Sequence, residues 1–321
     1  MSSDLKVIAS TSGISRIFRS GAREVRALDN VSFSLFEGKT LALVGESGSG
    51  KTTVARILLG LDTPTGGSVE ILGQTLGNLK HEQMRLLRRQ IQVVQQDPFS
   101  QLNRRHSVHR IIEGPLLAFN IGDKESRKKK VIELLEAVGL EKEHLRRRPH
   151  ELSGGQCQRV SIARALALNP KIVVLDEAVS ALDVSVRAQV LNLLRKLQQE
   201  RGLTYLFITH DLGVAHYVAD EIAVMFRGRI VERGSREDIF KNSQHHYTIG
   251  LLASVPLANP QAVKSNQEQV QTLPSPADGD ACLYRTRCAV GINRLDCKST
   301  TLTLTKGTAT HSWLCHSPQG S

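Results

Sequence analysis

The chain has 321 residues, of which 40% are hydrophobic and 4% aromatic, and its formal net charge at pH 7 is +11. This length predicts about two domains, and the composition is that of an ordinary globular protein. No apolar run approaches the roughly 20 residues that a membrane-spanning helix requires, and the first residues lack the pattern of a signal peptide. The sequence therefore predicts a chain that stays in the cytosol and reaches a membrane only through a partner.

The excess of basic residues raises the question of a nucleic-acid surface. Arginines and lysines are spread over short clusters at residues 85–89, 104–105, 128–130 and 146–148, and no aromatic residues alternate with them. Stacking on bases requires such aromatic side chains. Solvated helix faces, or faces turned toward anionic lipid headgroups, explain the charge better, so we expect no nucleic-acid partner.

The predicted elements begin with strands. Residues 31–35 alternate apolar and polar side chains, and residues 68–72, bounded by glycines, form a second strand that should pair with the N-terminal region. Residues 40–44 are a short apolar run typical of a buried parallel strand, and residues 53–61 predict a helix.

The middle of the chain is helical and polar from about residue 98 to residue 150. Strand and helix then alternate, with strands at residues 172–175 and 205–208 and a helix at residues 184–201. This pattern predicts an α/β fold with a doubly wound parallel sheet and a helical insertion. One amphipathic helix of the insertion is marked by Val131, Leu134, Leu135 and Val138, followed by Gly139 as its C-cap.

Residues 45–52 form a complete phosphate-binding loop of the form Gly-x-x-x-x-Gly-Lys-Thr. Its glycines let the backbone curl so that successive N–H groups face phosphate oxygens, and the following helix adds its partial positive charge. The lysine can reach the β- and γ-phosphates, and the threonine hydroxyl can ligate Mg²⁺. The sequence therefore predicts a nucleoside triphosphate site formed by Gly45, Ser47, Gly48, Gly50, Lys51, Thr52 and Thr53.

Two carboxylates follow the predicted strand at residues 172–175. Asp176, at the C-terminal end of the strand, can hold Mg²⁺ through water, and Glu177 can polarise an attacking water. Beside an intact phosphate-binding loop, this pair indicates phosphoryl-transfer chemistry rather than surface charge.

The string Leu-Ser-Gly-Gly-Gln at residues 152–156 precedes a predicted helix at residues 160–168. Its serine hydroxyl and glycine N–H groups form another helix N-terminus suited to phosphate. A second anion site in a chain with one phosphate-binding loop is explained if it closes over the nucleotide of another subunit. Ser153, Gly155 and Gln156 are the predicted contacts.

This order of motifs resembles the ATP-binding cassette (ABC) ATPases over at least residues 12–235. The resemblance implies a P-loop NTPase core with a parallel sheet, an antiparallel β subdomain and a helical subdomain at about residues 98–160. It implies that Gln96 contacts Mg²⁺ and the nucleophilic water, and that His210 contacts the γ-phosphate. Phe18 is the candidate for stacking on adenine, although a core or surface phenylalanine fits it equally well.

The implied chemistry is ATP hydrolysis, with Mg²⁺ held by Thr52, Gln96 and Asp176 and the water activated by Glu177. The sequence departs from the family at Cys157, where an arginine often stands, and at residues 178–179, which replace Pro-Thr. Neither departure removes a group that touches phosphate, metal or water in the family mechanism.

The C-terminal part is similar to the tail of oligopeptide/dipeptide-type importer ATPases, at residues 246–256, 273–276 and 282–288. Composition shifts to Gln, Asn, Pro, Ser and Thr after about residue 257, which predicts a linker and a small appended unit. We therefore expect a nucleotide-binding domain at residues 1–245 and a C-terminal extension at residues 246–321.

Four of the five cysteines lie in the last 40 residues, and in a reducing compartment such crowding favours metal ligation over disulfides. In the subfamily that the tail resembles, they can carry a [4Fe–4S] cluster, which four thiolates complete. Their spacing is not a compact Cys-x-x-Cys pattern, so zinc with His311 or His316 nearby, or no metal, remain alternatives. The implied cluster ligands are Cys282, Cys288, Cys297 and Cys315.

The resemblance implies the ATPase subunit of an oligopeptide or dipeptide importer at the cytoplasmic face of the inner membrane. Its implied partners are two transmembrane permease subunits, a sister ATPase in preference to a homodimer and, indirectly, an extracytoplasmic solute-binding protein. The chain does not encode the substrate, so nickel or another small solute is an alternative.

Other cassette classes fit less well. ATPases that act on DNA separate the two motif halves by long coiled coil, and no sustained heptads occur between residues 96 and 152. Ribosome-associated members usually carry two cassettes, and exporters commonly fuse membrane helices to the cassette.

Overall fold

A computed structural model describes residues 6–21, 23–254, 281–291, 295, 297, 302, 304–308, 310–316 and 318. The predicted linker, and with it residues 273–276, lies outside the described residues. All four tail cysteines lie within them.

The described part of the chain alternates strands and helices in the order that the sequence predicts. Its strands are β1 (Val7–Ser20), β2 (Arg23–Phe36), β3 (Thr40–Val44), β4 (Gly66–Ile71), β5 (Gln74–Thr75), β6 (Ile91–Val94), β7 (Ile172–Asp176), β8 (Thr204–Thr209), β9 (Glu221–Phe226), β10 (Arg229–Ser235), β11 (Thr305–Lys306) and β12 (Ser312–Trp313). Its α-helices are α1 (Lys51–Leu58), α2 (His81–Gln90), α3 (Pro98–Gln101), α4 (Val108–Ala118), α5 (Lys124–Ala137), α6 (Gly154–Leu166), α7 (Val184–Arg201), α8 (Leu212–Val218), α9 (Arg236–Lys241) and α10 (His246–Ala253).

The larger sheet has the strand order β11-β12-β10-β9-β3-β8-β7-β6. Its strands β9, β3, β8, β7 and β6 run parallel, as the sequence predicts. All residues of β3 and β8 are buried, which explains their continuous apolar character. Because Val44 pairs with Thr209 and Asp176 pairs with Ile208, the carboxyl ends of β3, β7 and β8 meet at one edge.

The smaller sheet is antiparallel, with the order β2-β1-β4-β5. The predicted strand at residues 68–72 corresponds to β4, which pairs with β1 as expected. The strand predicted at residues 31–35 is one end of the much longer β2, which forms a hairpin with β1. Gly21, at φ +59°, lies in the turn of that hairpin.

The helices confirm the predicted pattern, but both ends of α1 and both ends of α6 differ from the predicted bounds. Helix α7 has the predicted bounds. Helix α1 ends three residues before the predicted end, because Gly60 has φ +62° and the Leu61 N–H donates back to the Arg56 carbonyl. Helix α6 begins six residues before the predicted start, because the Ser153 side chain caps it by accepting from the Gln156 N–H.

Three apolar clusters hold these layers together. Helices α4, α5, α6 and α7 pack against one face of the larger sheet, and the apolar positions predicted in α5 are buried there. The antiparallel sheet and α1 pack on the opposite face. A third cluster joins the end of β3 and strand β9 to the C-terminal extension through Tyr247, Leu283 and Tyr284.

Candidate nucleotide site

The phosphate-binding loop lies between β3 and α1, and close backbone contacts require glycine at two of its positions. A Cβ at Gly45 would lie 2.2 Å from the Met225 carbonyl oxygen. Gly50 has φ +105°, and a Cβ there would lie 2.6 Å from the Ala27 carbonyl oxygen. These two glycines therefore fix the loop against β9 and the β1–β2 hairpin.

Lys51 is buried, with 4% of its surface exposed. Its Nζ donates to the carbonyl oxygens of Gly45 at 2.7 Å and Glu46 at 2.8 Å. Burial lowers the pKa of the Lys51 ammonium, whereas the carboxylates of Glu177 and Asp176 act in the opposite direction. The ammonium is thus held inside the loop, where phosphate oxygens can replace these carbonyls as its acceptors.

Asp176 ends β7 and accepts a hydrogen bond from the side chain of Thr52. Its Oδ1 is buried and has no hydrogen-bond partner in the described part of the chain. Burial, and then the charge of Glu177, raise the pKa of the Asp176 carboxyl. A buried carboxylate oxygen without a donor, beside a hydroxyl, offers the oxygen ligands that Mg²⁺ prefers, so these residues fit the ion.

Glu177 adopts a backbone conformation that is unfavourable for its residue type, with φ +50°. Its N–H donates to the Ile208 carbonyl at 2.9 Å, and its carbonyl accepts from the Ser180 hydroxyl at 2.9 Å. Its Oε1 lies 3.4 Å from the Nδ1 atom of His210, the residue that follows β8. The neighbouring strand and turn therefore impose a strained conformation that places the carboxylate beside the histidine.

These groups line one pocket of about 820 Å³ at the carboxyl edge of the sheet. Gln96, which follows β6, completes the set that the sequence predicts for phosphate, metal and water. The pocket includes Gly45, Ser47, Thr52, Gln96, Asp176, Glu177 and His210. A site of this size is typical for a small-molecule ligand.

A second pocket, of about 560 Å³, lies on the other side of the phosphate-binding loop. It is lined by Gly48, Gly50, Lys51, Thr52 and Thr53, together with Val25 and Arg26 of the hairpin and Arg227 after β9. Ser47, Thr52 and Glu177 line both pockets, so the two are parts of one groove around the loop.

Phe18 is placed next to this groove rather than in it. It pairs with Val25 in the β1–β2 ladder, and Val25 lines the second pocket. Phe18 itself is 42% exposed, and the Arg16 guanidinium lies 4.6 Å from its ring centroid. Stacking on adenine thus requires the ring to turn from the guanidinium toward the groove.

The Ser153 motif does not line either pocket of its own chain. The Ser153 hydroxyl accepts from the Gln156 N–H, and the Gln156 side chain accepts from the Ser153 N–H, which forms a capping box. Gly155 is buried against α7, where a Cβ would lie 2.4 Å from Val186 Cγ1. The motif is therefore a capped helix start that does not line the nucleotide groove of its own chain.

The four tail cysteines lie around one small cavity, together with His245, His246 and His316. Across the described ranges, no group of three or more His, Cys, Asp or Glu side chains is arranged to hold a single metal ion. His311 Nε2 contacts the buried carboxylate of Glu232 at 2.8 Å instead. Burial raises the pKa of the Cys282 thiol to about 11, so a thiolate at this position requires a cationic partner.

The residues that depart from the family pattern are accommodated by packing. Cys157 is fully buried on α6, and burial raises the pKa of its thiol to about 11. Its Sγ lies 3.4 Å from the Pro149 carbonyl. Ala178 and Val179 are buried in the cluster between the sheet and the helical layer.

Sequence reasoning missed several residues that line the first pocket. Some are neighbours of a predicted residue and could have been found from that adjacency, whereas Leu251 comes from the C-terminal extension, which no local pattern connects to the site. The additional lining residues are Glu46, Gln95, Asp97, Ser100, Gln101 and Leu251.

A phosphate-binding loop, an acidic pair and a histidine at adjacent ends of a parallel sheet define a P-loop ATPase. Comparison with known proteins agrees with this class. The model of the family described as ABC transporter matches residues 28–180, and the model described as oligopeptide/dipeptide transporter, C-terminal region, matches residues 231–294.

Relatives of similar length show the same relationship. The chain is 51% identical over 269 residues to the dipeptide transport ATP-binding protein DppF of Escherichia coli (strain K12), covering 83% of this chain and 80% of that one. It is 43% identical over 306 residues to the oligopeptide transport ATP-binding protein AppF of Bacillus subtilis (strain 168), covering 94% and 92%. The protein therefore belongs to the ABC transporter family, as an ATP-hydrolysing subunit that binds ATP with Mg²⁺.

Two further similarities are informative. The chain is 50% identical over 246 residues to the glutathione import ATP-binding protein GsiA of Salmonella typhi, covering 77% of this chain and 40% of that one. A solved structure described as a dimeric post-hydrolysis state of the ATP-binding cassette MJ0796, bound to ADP and Pi, is 33% identical with a TM-score of 0.65. It covers 71% of this chain and 98% of that one.

Within the described ranges, no helix has both the length and the apolar character needed to cross a membrane.

Gly155→Ala should lower the melting temperature, whereas Gly154→Ala should not. The new Cβ at position 155 would overlap Val186, while a Cβ at position 154 would lie 3.9 Å from its nearest neighbours. Overpacking costs about 1–3 kcal/mol, which exceeds the roughly 1 kcal/mol that a helix gains from Gly to Ala. Adding Val186→Ala should restore the melting temperature of the Gly155→Ala variant, and equal melting temperatures of the two single alanine variants would contradict this packing.

Proposed function

We propose that this chain hydrolyses ATP at an interface between two ATPase subunits and thereby drives peptide import through partner permeases. The observation that carries the proposal is the groove around the phosphate-binding loop, in which Gln96, Asp176, Glu177 and His210 converge. In this proposal residues 1–245 act as the nucleotide-binding domain and residues 246–321 as the C-terminal extension.

The triphosphate is held by Lys51 and by N–H groups of the loop. Mg²⁺, held by Thr52, Gln96 and Asp176, would neutralise charge on the β- and γ-phosphates when bound. The donorless Oδ1 of Asp176 supports that assignment. Phe18 covers the adenine after its ring turns toward Val25.

Glu177 orients a water for attack on the γ-phosphorus and accepts its proton, while the bond from the γ-phosphorus to the bridging oxygen breaks and ADP leaves. His210 lies beside the Glu177 carboxylate and donates to the γ-phosphate side. The hydrogen bonds to Ile208 and Ser180 hold the Glu177 backbone before the nucleotide arrives, so little reorganisation is needed at the moment of reaction.

Ser153, Gly155 and Gln156 bind the γ-phosphate of the partner subunit's ATP. Two observations support this role in trans: the motif lines neither pocket of its own chain, and the related MJ0796 cassette is described as a dimer after hydrolysis. ATP is then needed to bring the subunits together, and hydrolysis lets them separate. A sister ATPase is the proposed partner.

The substrates are proposed to be peptides. The dipeptide, oligopeptide and glutathione transport proteins named above all handle this chemical class, and the C-terminal match is to a region characteristic of oligopeptide and dipeptide transporters. The corresponding partners are two membrane permeases and a solute-binding protein, with the ATPase on the cytoplasmic face of the membrane and no nucleic acid involved.

A [4Fe–4S] cluster held by Cys282, Cys288, Cys297 and Cys315 is proposed for the C-terminal extension. A Cβ at Gly291 would lie 3.3 Å from Cys288 Sγ and 3.6 Å from Cys297 Sγ, so glycine leaves space between these thiols. The Gly291 N–H also donates to Cys288 Sγ. Since each thiolate binds a different iron, a cluster needs a wider ligand set than a single ion does. When bound, it would crosslink a short polar segment that buries little core of its own.

Glu177→Gln should abolish ATP turnover while ATP binding is retained. The amide keeps the shape of the side chain but cannot accept the proton from water, so turnover should fall by about 100-fold or more. ATP should then trap the variant as a dimer, measurable by light scattering. The control Glu200→Gln, which changes an exposed carboxylate on α7, should behave like wild type. Turnover near wild type in Glu177→Gln would exclude the role given to this residue.

Anaerobic purification should yield a brown protein that absorbs at about 400 nm and carries about four irons per chain. Cys282→Ser should lose iron, whereas Cys157→Ser, which changes a buried cysteine outside the extension, should keep it. A colourless, iron-free wild-type protein would rule out the cluster, and stoichiometric zinc would favour the alternative metal.

A further inference from the structure

Glu46 of the phosphate-binding loop is held at each of its polar groups. Its carbonyl accepts from Lys51 Nζ at 2.8 Å, and its N–H donates to the Tyr247 hydroxyl at 3.0 Å. Its carboxylate accepts two hydrogen bonds from the Arg287 guanidinium, at 2.9 and 2.7 Å. Two of these three partners belong to the C-terminal extension, which therefore contacts the site that binds phosphate.

The residues around the Arg287–Glu46 ion pair shield it in part from water and fix the position of the guanidinium. The Arg287 side chain is 25% exposed and that of Glu46 39% exposed, so the pair is partly shielded from water. The guanidinium also lies 5.6 Å from the ring centroid of Tyr284 and 5.7 Å from that of Phe226. A bidentate guanidinium stacked on aromatic rings has a fixed orientation, which a lysine cannot reproduce.

The charge of Glu46 matters because this residue lines the pocket that receives the triphosphate. The pKa of the Glu46 carboxyl is lowered, and the hydrogen bond from Arg287 is the largest cause. The group is therefore ionised at neutral pH. Without the arginine, only the charges of Arg227 and Lys51 would offset the negative charge of Glu46 beside an anionic ligand. Such a charge opposes binding of ATP.

We propose that Arg287 is a positioning residue for the nucleotide site: it neutralises Glu46 and holds the phosphate-binding loop, so that the C-terminal extension sets the affinity for ATP. The inference rests on the proposed ATP site and adds a residue from outside it. Arg287 immediately precedes Cys288.

Titration of the full-length protein with a fluorescent ATP analogue tests this. Arg287→Gln should raise Kd about fivefold, the effect expected for a partly exposed ion pair. Arg287→Lys should bind ATP more tightly than Arg287→Gln, because lysine keeps the positive charge but cannot form the bidentate contact. The control Arg127→Gln, which breaks a more deeply buried ion pair with Glu113 in the helical layer, should leave Kd unchanged.

A second variant shows whether Arg287→Gln raises Kd through the charge of Glu46 or through general disruption of the extension. Glu46→Gln removes the charge that Arg287 neutralises, so adding Arg287→Gln to it should change Kd less than twofold. The deficit of Arg287→Gln alone should also shrink as salt is raised from about 0.05 to 0.5 M, because the charge of Glu46 becomes screened.

The outcomes are distinct. A wild-type Kd in Arg287→Gln, or a loss that Glu46→Gln does not cancel, would overturn the inference while leaving the ATP site intact. Absence of binding by the wild-type protein itself would instead contradict the proposed function.

Discussion

The parallel register of β3, β7 and β8 is the constraint on which the nucleotide site depends. Because the carboxyl ends of these strands meet at one edge of the sheet, residues far apart in the chain converge without a long loop to bring them together. Lys51 follows β3, Asp176 ends β7 and His210 follows β8. Continuous apolar runs bury these strands, so the stability of the sheet and the geometry of the site have the same origin.

Strongly patterned segments could be predicted from the sequence. Residues 40–44, 172–175 and 205–208 were recognisable because continuous apolar runs between turns favour buried strands. The long β1–β2 hairpin is predicted clearly only at residues 31–35, because the alternation in the rest of the N-terminal region is weak. The predicted start of α6 lies too late, because the first aliphatic residue of the segment is Val160, although Ser153 and Gln156 have the spacing of a capping box.

Contacts between distant segments could not be read from the sequence at all. Glu46 and Arg287 are 241 residues apart, and neither belongs to a pattern that predicts the other. The same holds for Glu232, whose buried carboxylate contacts His311 of the extension. These contacts make the extension part of the ATPase structure, and they connect a cysteine-lined cavity to the phosphate-binding loop. The Ser153 motif, by contrast, makes its capping hydrogen bonds within its own helix start.

The most direct test of an importer role is gentle detergent extraction of the tagged protein from its native membranes, followed by mass spectrometry of the proteins that co-purify. Two multi-spanning permease subunits are expected, together with a second ATPase if the sister heterodimer is correct. Recovery of ribosomes, DNA or the chain alone would contradict the transport role and leave only the ATPase.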